Sequence, residues 1–224
     1  GEIVAYTDDD VFHLLGWLGA HLAVIDTFPN VGAVTGFYVR QRVVMSADTT
    51  VAFAEQPEIE AQRGLLMPRK WEEEYVVNSG RSWERYESEV ARIEDIIVTY
   101  QGVEAWVSAH HFQMVSPKAV VQEVLADMLP EGWSDRIMGR MVELDDRMDA
   151  KGYLRLCTRE QTVRLMGNAI SEEVAALAER DGLKVDAVKT DQSSKGLMNR
   201  LAQVKWIRYI LQGIVNRVYR WLQG

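Results

Sequence analysis

Apolar and polar positions alternate with two different periods along this chain, and the switches between them set the first expectations. Val11, Leu14, Leu15, Leu18, Leu22 and Ile25 recur at three- and four-residue steps. That spacing predicts an amphipathic helix from Asp8 to about Thr27, capped by Thr7 and ended by Phe28-Pro29-Asn30. Phe37, Val39, Val43 and Met45 then alternate with polar residues, and Val51 and Phe53 answer them across Ser46-Ala47-Asp48-Thr49. This predicts a hairpin. Residues 55–70, polar and holding Pro57 and Pro68, read as a long exposed loop.

Helical spacing returns at Trp83, Tyr86, Val90, Ile93, Ile97 and Tyr100, opened by Ser82 and stopped by Gly102. Val103 to Val115 reads as a strand, and Ser116-Pro117 as the start of a helix that reaches Leu129. Beyond Pro130 the expected helices are Ser134 to Lys151, Thr158 to Gly167 through a Thr158/Gln161 capping box, and Ser171 to Gly182. Tyr153 to Cys157 reads as a short buried strand, and Lys184 to Lys189 as another short strand. The expected fold class is therefore α+β and helix-rich. A small antiparallel β element lies in the N-terminal half, and a mostly helical C-terminal half ends in a long amphipathic helix. The expected division is a mixed α/β region over 1–116 and a mainly helical region over 117–224, within what could be one domain.

That last helix is the most informative segment. Leu197, Val204, Ile207, Ile210, Leu211, Ile214, Val218, Trp221 and Leu222 fall within an arc of roughly 140° on a helical wheel. An unbroken helix from Lys195 to Leu222 would be about 42 Å long. An apolar face of that size has to be covered by its own domain, another copy, a partner or a membrane surface. Leu197, Trp206, Ile207, Ile210, Leu211, Ile214, Val218 and Trp221 are the expected interface residues.

Charge sharpens this picture. The net charge is -8, yet there is no Asp or Glu from Gln192 to Gly224, where six bases stand. An acidic body repels nucleic acid and anionic lipid, while a basic tail could bind either or fold back on the body. The polar face of the tail lacks a dense Arg/Lys stripe, so nucleic acid is the less favoured partner. No 18-residue uncharged apolar window occurs, so no transmembrane segment is expected. No signal peptide is read at the start, and a single cysteine, Cys157, fits a reducing compartment, cytoplasm or virion. Cys157 reads as a structural thiol rather than a nucleophile.

Chemistry-bearing patterns are sparse. Tyr6-Thr7-Asp8-Asp9, after Ile3-Val4-Ala5, resembles the tyrosine-x-Asp-Asp hairpin of reverse transcriptases and RNA polymerases. There, paired carboxylates hold two Mg²⁺ ions for nucleotidyl transfer. The helix expected at once after it would leave no second strand, so the acids read instead as favourable charge at a helix N-terminus. Glu72-Glu73-Glu74 is a second acid run that could join Asp8, Asp9 and Asp10 around a hard cation, or be a solvated face. His110 and His111, if on a strand, would face opposite ways, and His13 and His21 would stand two turns apart on the first helix, so no zinc site is expected. No glycine-rich phosphate loop and no G-x-S-x-G occurs.

No catalytic residue, cofactor or metal is assigned at this level, and the balance leans away from an enzyme. Seven tryptophans and nine methionines suit contact surfaces. The leading expectation is a structural or assembly subunit, of a virus or phage particle or another large complex. It would meet itself or another protein subunit through the terminal helix. The alternatives are a carboxylate- and metal-dependent enzyme, or an accessory factor using the basic helix on nucleic acid.

Overall fold

The computed structural model describes residues 1–40, 47–107, 110–126, 141–166 and 172–183. Its centre is a seven-stranded mixed sheet, not a small antiparallel element. The strands are β1 (Ile3–Thr7), β3 (Val31–Thr35), β4 (Glu60–Gly64), β5 (Asp95–Tyr100), β6 (Val103–Val107), β7 (Gln113–Pro117) and β8 (Leu154–Thr158), in the order β1-β7-β3-β8-β6-β5-β4. A second sheet pairs β2 (Val11–His13) with β9 (Val163–Leu165). The helices are α1 (Trp17–Thr27), α2 (Asp48–Ala54), α3 (Arg69–Asn78), α4 (Trp83–Val90), α5 (Lys118–Ala126), α6 (Met141–Ala150) and α7 (Glu172–Arg180).

The expected fold class fails because strands were hidden inside helix-like or loop-like patterns. Gly16, at φ 83, breaks the expected Asp8–Thr27 helix, so Val11–His13 becomes a strand and only Trp17–Thr27 is helical. The stripe beginning at Trp83 ends at Val90, and the β-branched run Ile96-Ile97-Val98 forms the centre of β5. Residues 48–54 form α2 rather than the second arm of a hairpin, since Thr50 turns inward and accepts the backbone N–H of Arg155 at 2.9 Å. Glu60–Gly64 is an edge strand where a loop was expected. The Thr158/Gln161 capping box does not form, because the Thr158 hydroxyl donates to the carbonyl of Glu160 at 2.7 Å and the chain enters β9. The C-terminal half thus supplies β8 to the middle of the sheet as well as helices. The expected strand at 184–189 and the terminal helix with its interface residues lie outside the described residues.

Other expectations hold. Ser82 caps α4, its hydroxyl accepting the Arg85 N–H. The 153–157 strand is β8, and Cys157 is 1% exposed, with burial pushing its thiol pKa well above the ordinary value. That thiol is structural.

Helices cover both faces. Val24 of α1 and Phe53 and Ala54 of α2 pack on Val34, Leu154, Leu156, Ala105, Val107, Ile96 and Val98. Opposite, Val120 and Val124 of α5 and Leu144 and Met148 of α6 pack on Ala33 and Met114. Beyond β3 the chain lays Tyr38 on Trp106, with ring centroids 4.5 Å apart and planes 18° apart.

The close approach of β3 to its surroundings sets one prediction. A Cβ on Gly36 would lie 2.2 Å from the Thr162 hydroxyl and 3.0 Å from His21. Gly36→Ala is therefore expected to cost about 1–3 kcal/mol, read as a lowered urea midpoint.

Candidate functional site

β1, β3 and β8 run parallel, since β7 is antiparallel to both β1 and β3 while β8 is parallel to β3. Their carboxyl ends therefore share one edge of the sheet. In open sheets with helices on both faces, that edge is where ligands settle. Thr7 leads there into Asp8-Asp9-Asp10, Thr35 into Gly36, and Thr158 into Arg159.

The acidic turn is fixed at both ends. The Asp8 N–H donates to the carbonyl of Phe112 at 2.8 Å, extending the β1–β7 ladder by one bond. The carbonyl of Asp10 accepts the N–H of Met166 at 2.8 Å, next to β9. The tripeptide thus links the two sheets as a strand–turn–strand. It is not the helix N-terminus expected from the sequence. Nor is it the polymerase-like hairpin, because β1 and β2 pair with different partners.

Tyr6 donates its hydroxyl to Asp8 Oδ1 at 2.7 Å. Burial, that bond and the Asp8 charge push the tyrosine pKa up to about 12. Asp9 is exposed, and Asp8 and Asp10 are half-buried. Among the described residues no lysine or arginine forms an ion pair with any of the three. The other acid run is built differently. Glu72 is bound to Arg40 at 2.7 Å, Glu73 pairs with Arg69 at 3.6 Å, and Glu74 meets Arg164 at 2.8 Å. Glu72–Glu74 therefore belong to ion pairs of their own. Among the described residues no three His, Cys, Asp or Glu side chains gather where a metal ion could sit.

Comparison with family models, curated proteins and solved structures gives no match to this chain. The site has to be read from its own residues.

Three groups that the sequence did not single out make buried polar contacts around the sheet. Gln113, opposite Thr7 and fully buried, accepts the Gly36 N–H on Oε1 at 2.8 Å. Its Nε2 lies 3.2 Å from His21 Nε2, while His21 Nδ1 lies 2.7 Å from the Trp17 carbonyl. That carbonyl makes Nδ1 the donor and Nε2 the acceptor. His13 and His21 are not on one helix. His13 sits in β2, with the Trp17 ring between them, 4.3 and 5.4 Å from the two imidazoles.

Asp145 and Arg155 are the second and third. Asp145, on α6, accepts Arg155 Nη2 at 2.9 Å and lies 3.1 Å from His111 Nδ1. The Asp145 and Arg155 side chains are 4% and 1% exposed, and His111 is 24% exposed. His110 and His111 are not on alternate faces of a strand. They precede β7, and their rings lie 4.7 Å apart. The one legible hint was an arginine inside the apolar run Leu154–Cys157, which demands a carboxylate once buried.

Two histidines, the buried His21 and the half-buried His110, give the fold a pH dependence. Burial is the main cause that lowers the pKa of His21 below 6.5, and burial with the charges of His111, Arg155 and Arg81 lowers that of His110 well below it. The unfolded chain therefore takes up protons on these rings before the folded chain does. Their stabilising contribution is complete above pH 6.5 and is lost as pH falls below it. Glu173, held down to about 2 by Arg164 and Lys70, adds a further loss as pH falls from 4.5 toward 2. Urea midpoints at pH 7.5 and 5.5 check the histidine part: the midpoint is expected to drop, and His21→Gln to shrink the drop.

Proposed function

We propose that this chain is an enzyme acting on a phosphate-bearing substrate with a divalent cation, Mg²⁺ or Mn²⁺, held at Asp8–Asp10. One observation carries the reading. A turn of three carboxylates, pinned by backbone bonds at both ends, stands at the carboxyl edge of three parallel strands with no cationic side chain paired to it among the described residues.

Adjacent carboxylates repel one another and favour a bound cation. Mg²⁺ keeps several waters and is commonly held by one or two carboxylates together with substrate phosphates, rather than by an all-protein cage. Among the described residues the three side chains do not gather around one point, so one or two of them would share the metal with a phosphate. Once bound, the cation draws negative charge onto itself from the phosphate oxygens. Carboxylates of Asp8–Asp10 would hold and orient the metal.

Titration calorimetry tests this. Mn²⁺ alone is expected to bind weakly, and saturating inorganic pyrophosphate to tighten it about tenfold or more. Absence of Mn²⁺ binding under both conditions would overturn the reading.

The assembly role stands as a second reading, favoured by the apolar arc of residues 197–222. It expects the full chain to self-associate, and Ile210→Glu with Ile214→Glu to shift it toward monomer in light scattering. For either reading, no described helix is long and apolar enough to cross a membrane.

A further inference from the structure

We propose that the outer edge of β1 is a docking site for an extended, apolar segment of another protein with lysine or arginine at its ends, which adds to the sheet as an eighth strand. This interaction is independent of the cation reading above.

The sheet ends in two edge strands, β1 and β4, and they are built differently. An open edge invites pairing with another chain, and charged side chains are a common guard against it. β4 carries Glu60 and Arg63, both exposed. β1 reads Ile3-Val4-Ala5-Tyr6-Thr7, without charge, rich in strand-forming residues and with none of the five buried. Among the described residues no strand pairs with its outer side.

The backbone on that side has a defined pattern. The Lys118 N–H donates to the Glu2 carbonyl, and the Asp8 N–H to the Phe112 carbonyl, both at 2.8 Å. Antiparallel bonding alternates along a strand, so Glu2, Val4, Tyr6 and Asp8 turn their peptide groups toward β7 and its flanks. The N–H and C=O groups of Ile3, Ala5 and Thr7 therefore point outward, where an added strand would bond them.

Charge selects the occupant. Tyr6 and Asp8 share one face of the sheet, joined by their hydrogen bond, and alternation puts Val4 and Glu2 on the same face. An added strand thus meets a carboxylate, Val4, Tyr6 and a second carboxylate over about 20 Å. Lys118 is Glu2's partner on the β7 side, and Asp9 and Asp10 follow Asp8, so the turn is the more acidic end. A second copy of this chain fits poorly. In a two-fold pairing centred on Ala5, which overlaps all five residues, Glu2 of each copy falls opposite Asp8 of the other. Like charges directly opposite destabilise a strand pair. A segment with basic residues at its first and seventh positions and apolar residues at its third and fifth meets all four side chains favourably.

A fluorescein-labelled peptide, Lys-Thr-Val-Thr-Val-Thr-Lys, titrated into the intact chain and followed by anisotropy, tests the proposal. It is expected to bind about tenfold or more tightly than Glu-Thr-Val-Thr-Val-Thr-Glu. Ala5→Pro removes the central outward N–H and leaves the bonds to β7 in place. It is expected to weaken binding about tenfold while the chain still melts cooperatively. In the wild-type chain, saturating peptide is expected to slow amide exchange at Ile3, Ala5 and Thr7 about tenfold. Binding of neither peptide, equal affinity for both, or unchanged exchange at those three amides would overturn the proposal. So would a dimer in light scattering that Ala5→Pro dissolves, since a second copy would then hold the edge. None of these results bears on Mn²⁺ binding, which is measured separately.

Discussion

Asp95→Ala is expected to destabilise the fold by on the order of 3–5 kcal/mol, the largest loss from any single truncation proposed for this chain. Asp95 is 0% exposed at the start of β5. Its Oδ1 accepts the Tyr38 hydroxyl at 2.9 Å and Arg40 Nε at 2.7 Å. Its Oδ2 accepts Arg40 Nη2 at 2.7 Å and the backbone N–H groups of Leu66 and Met67 at 2.7 and 2.8 Å. One carboxylate thus joins the segment after β3 to the loop after β4. Through Arg40 it reaches Glu72 of α3, which Tyr86 of α4 also contacts, at 3.1 Å. Without it, the buried Arg40 guanidinium keeps only Glu72 as a carboxylate partner among the described residues, and two backbone donors lose theirs. Tyr38→Phe removes only one of the five bonds, so its cost is expected near 1 kcal/mol. Urea unfolding of the two variants checks this. A loss below about 1 kcal/mol for Asp95→Ala would show that the network can reorganise.

The second large effect is on binding. Asp8→Asn and Asp10→Asn are each expected to weaken Mn²⁺ binding in the presence of pyrophosphate by on the order of 100-fold, about 2.7 kcal/mol. The fold should change by less than about 1 kcal/mol, because both side chains are partly exposed and their backbone bonds survive the change. Asn keeps the size, and at position 8 its amide oxygen still accepts the Tyr6 hydroxyl, so the variants chiefly remove charge. Calorimetry with a parallel thermal melt separates the two effects.

How far the sequence reached depended on the range of the forces involved. Local signals were legible. Ser82 announced the start of α4, and Gly152 and Gly182, at φ 77 and 79, closed α6 and α7 as expected. The apolar run ending at Cys157 read correctly as a buried strand. Where two periods fitted the same residues, partners far along the chain decided. Val11–His13 suits a helix face by spacing, yet β9 lies ready to pair with it and Gly16 prevents helical continuity. Ile96–Val98 continues the α4 stripe on paper, but β4 and β6 claim it from either side.

The site was half legible for the same reason. The acids were visible as a run, but their place at the end of a parallel strand depends on β7 and β8, more than 100 residues away in sequence. His111, Asp145 and Arg155 share no spacing motif, because a loop, a helix and a strand bring them together only in the folded chain.

The central claim is that Asp8–Asp10 hold a divalent cation together with a phosphate. A crystal of the full chain grown with Mn²⁺ and inorganic pyrophosphate, recorded at the manganese edge, tests it most directly. The account predicts an anomalous peak about 2.1 Å from carboxylate oxygens of the turn, with pyrophosphate oxygens completing the shell. A structure in which manganese and pyrophosphate bind elsewhere, leaving those carboxylates to water, would contradict it.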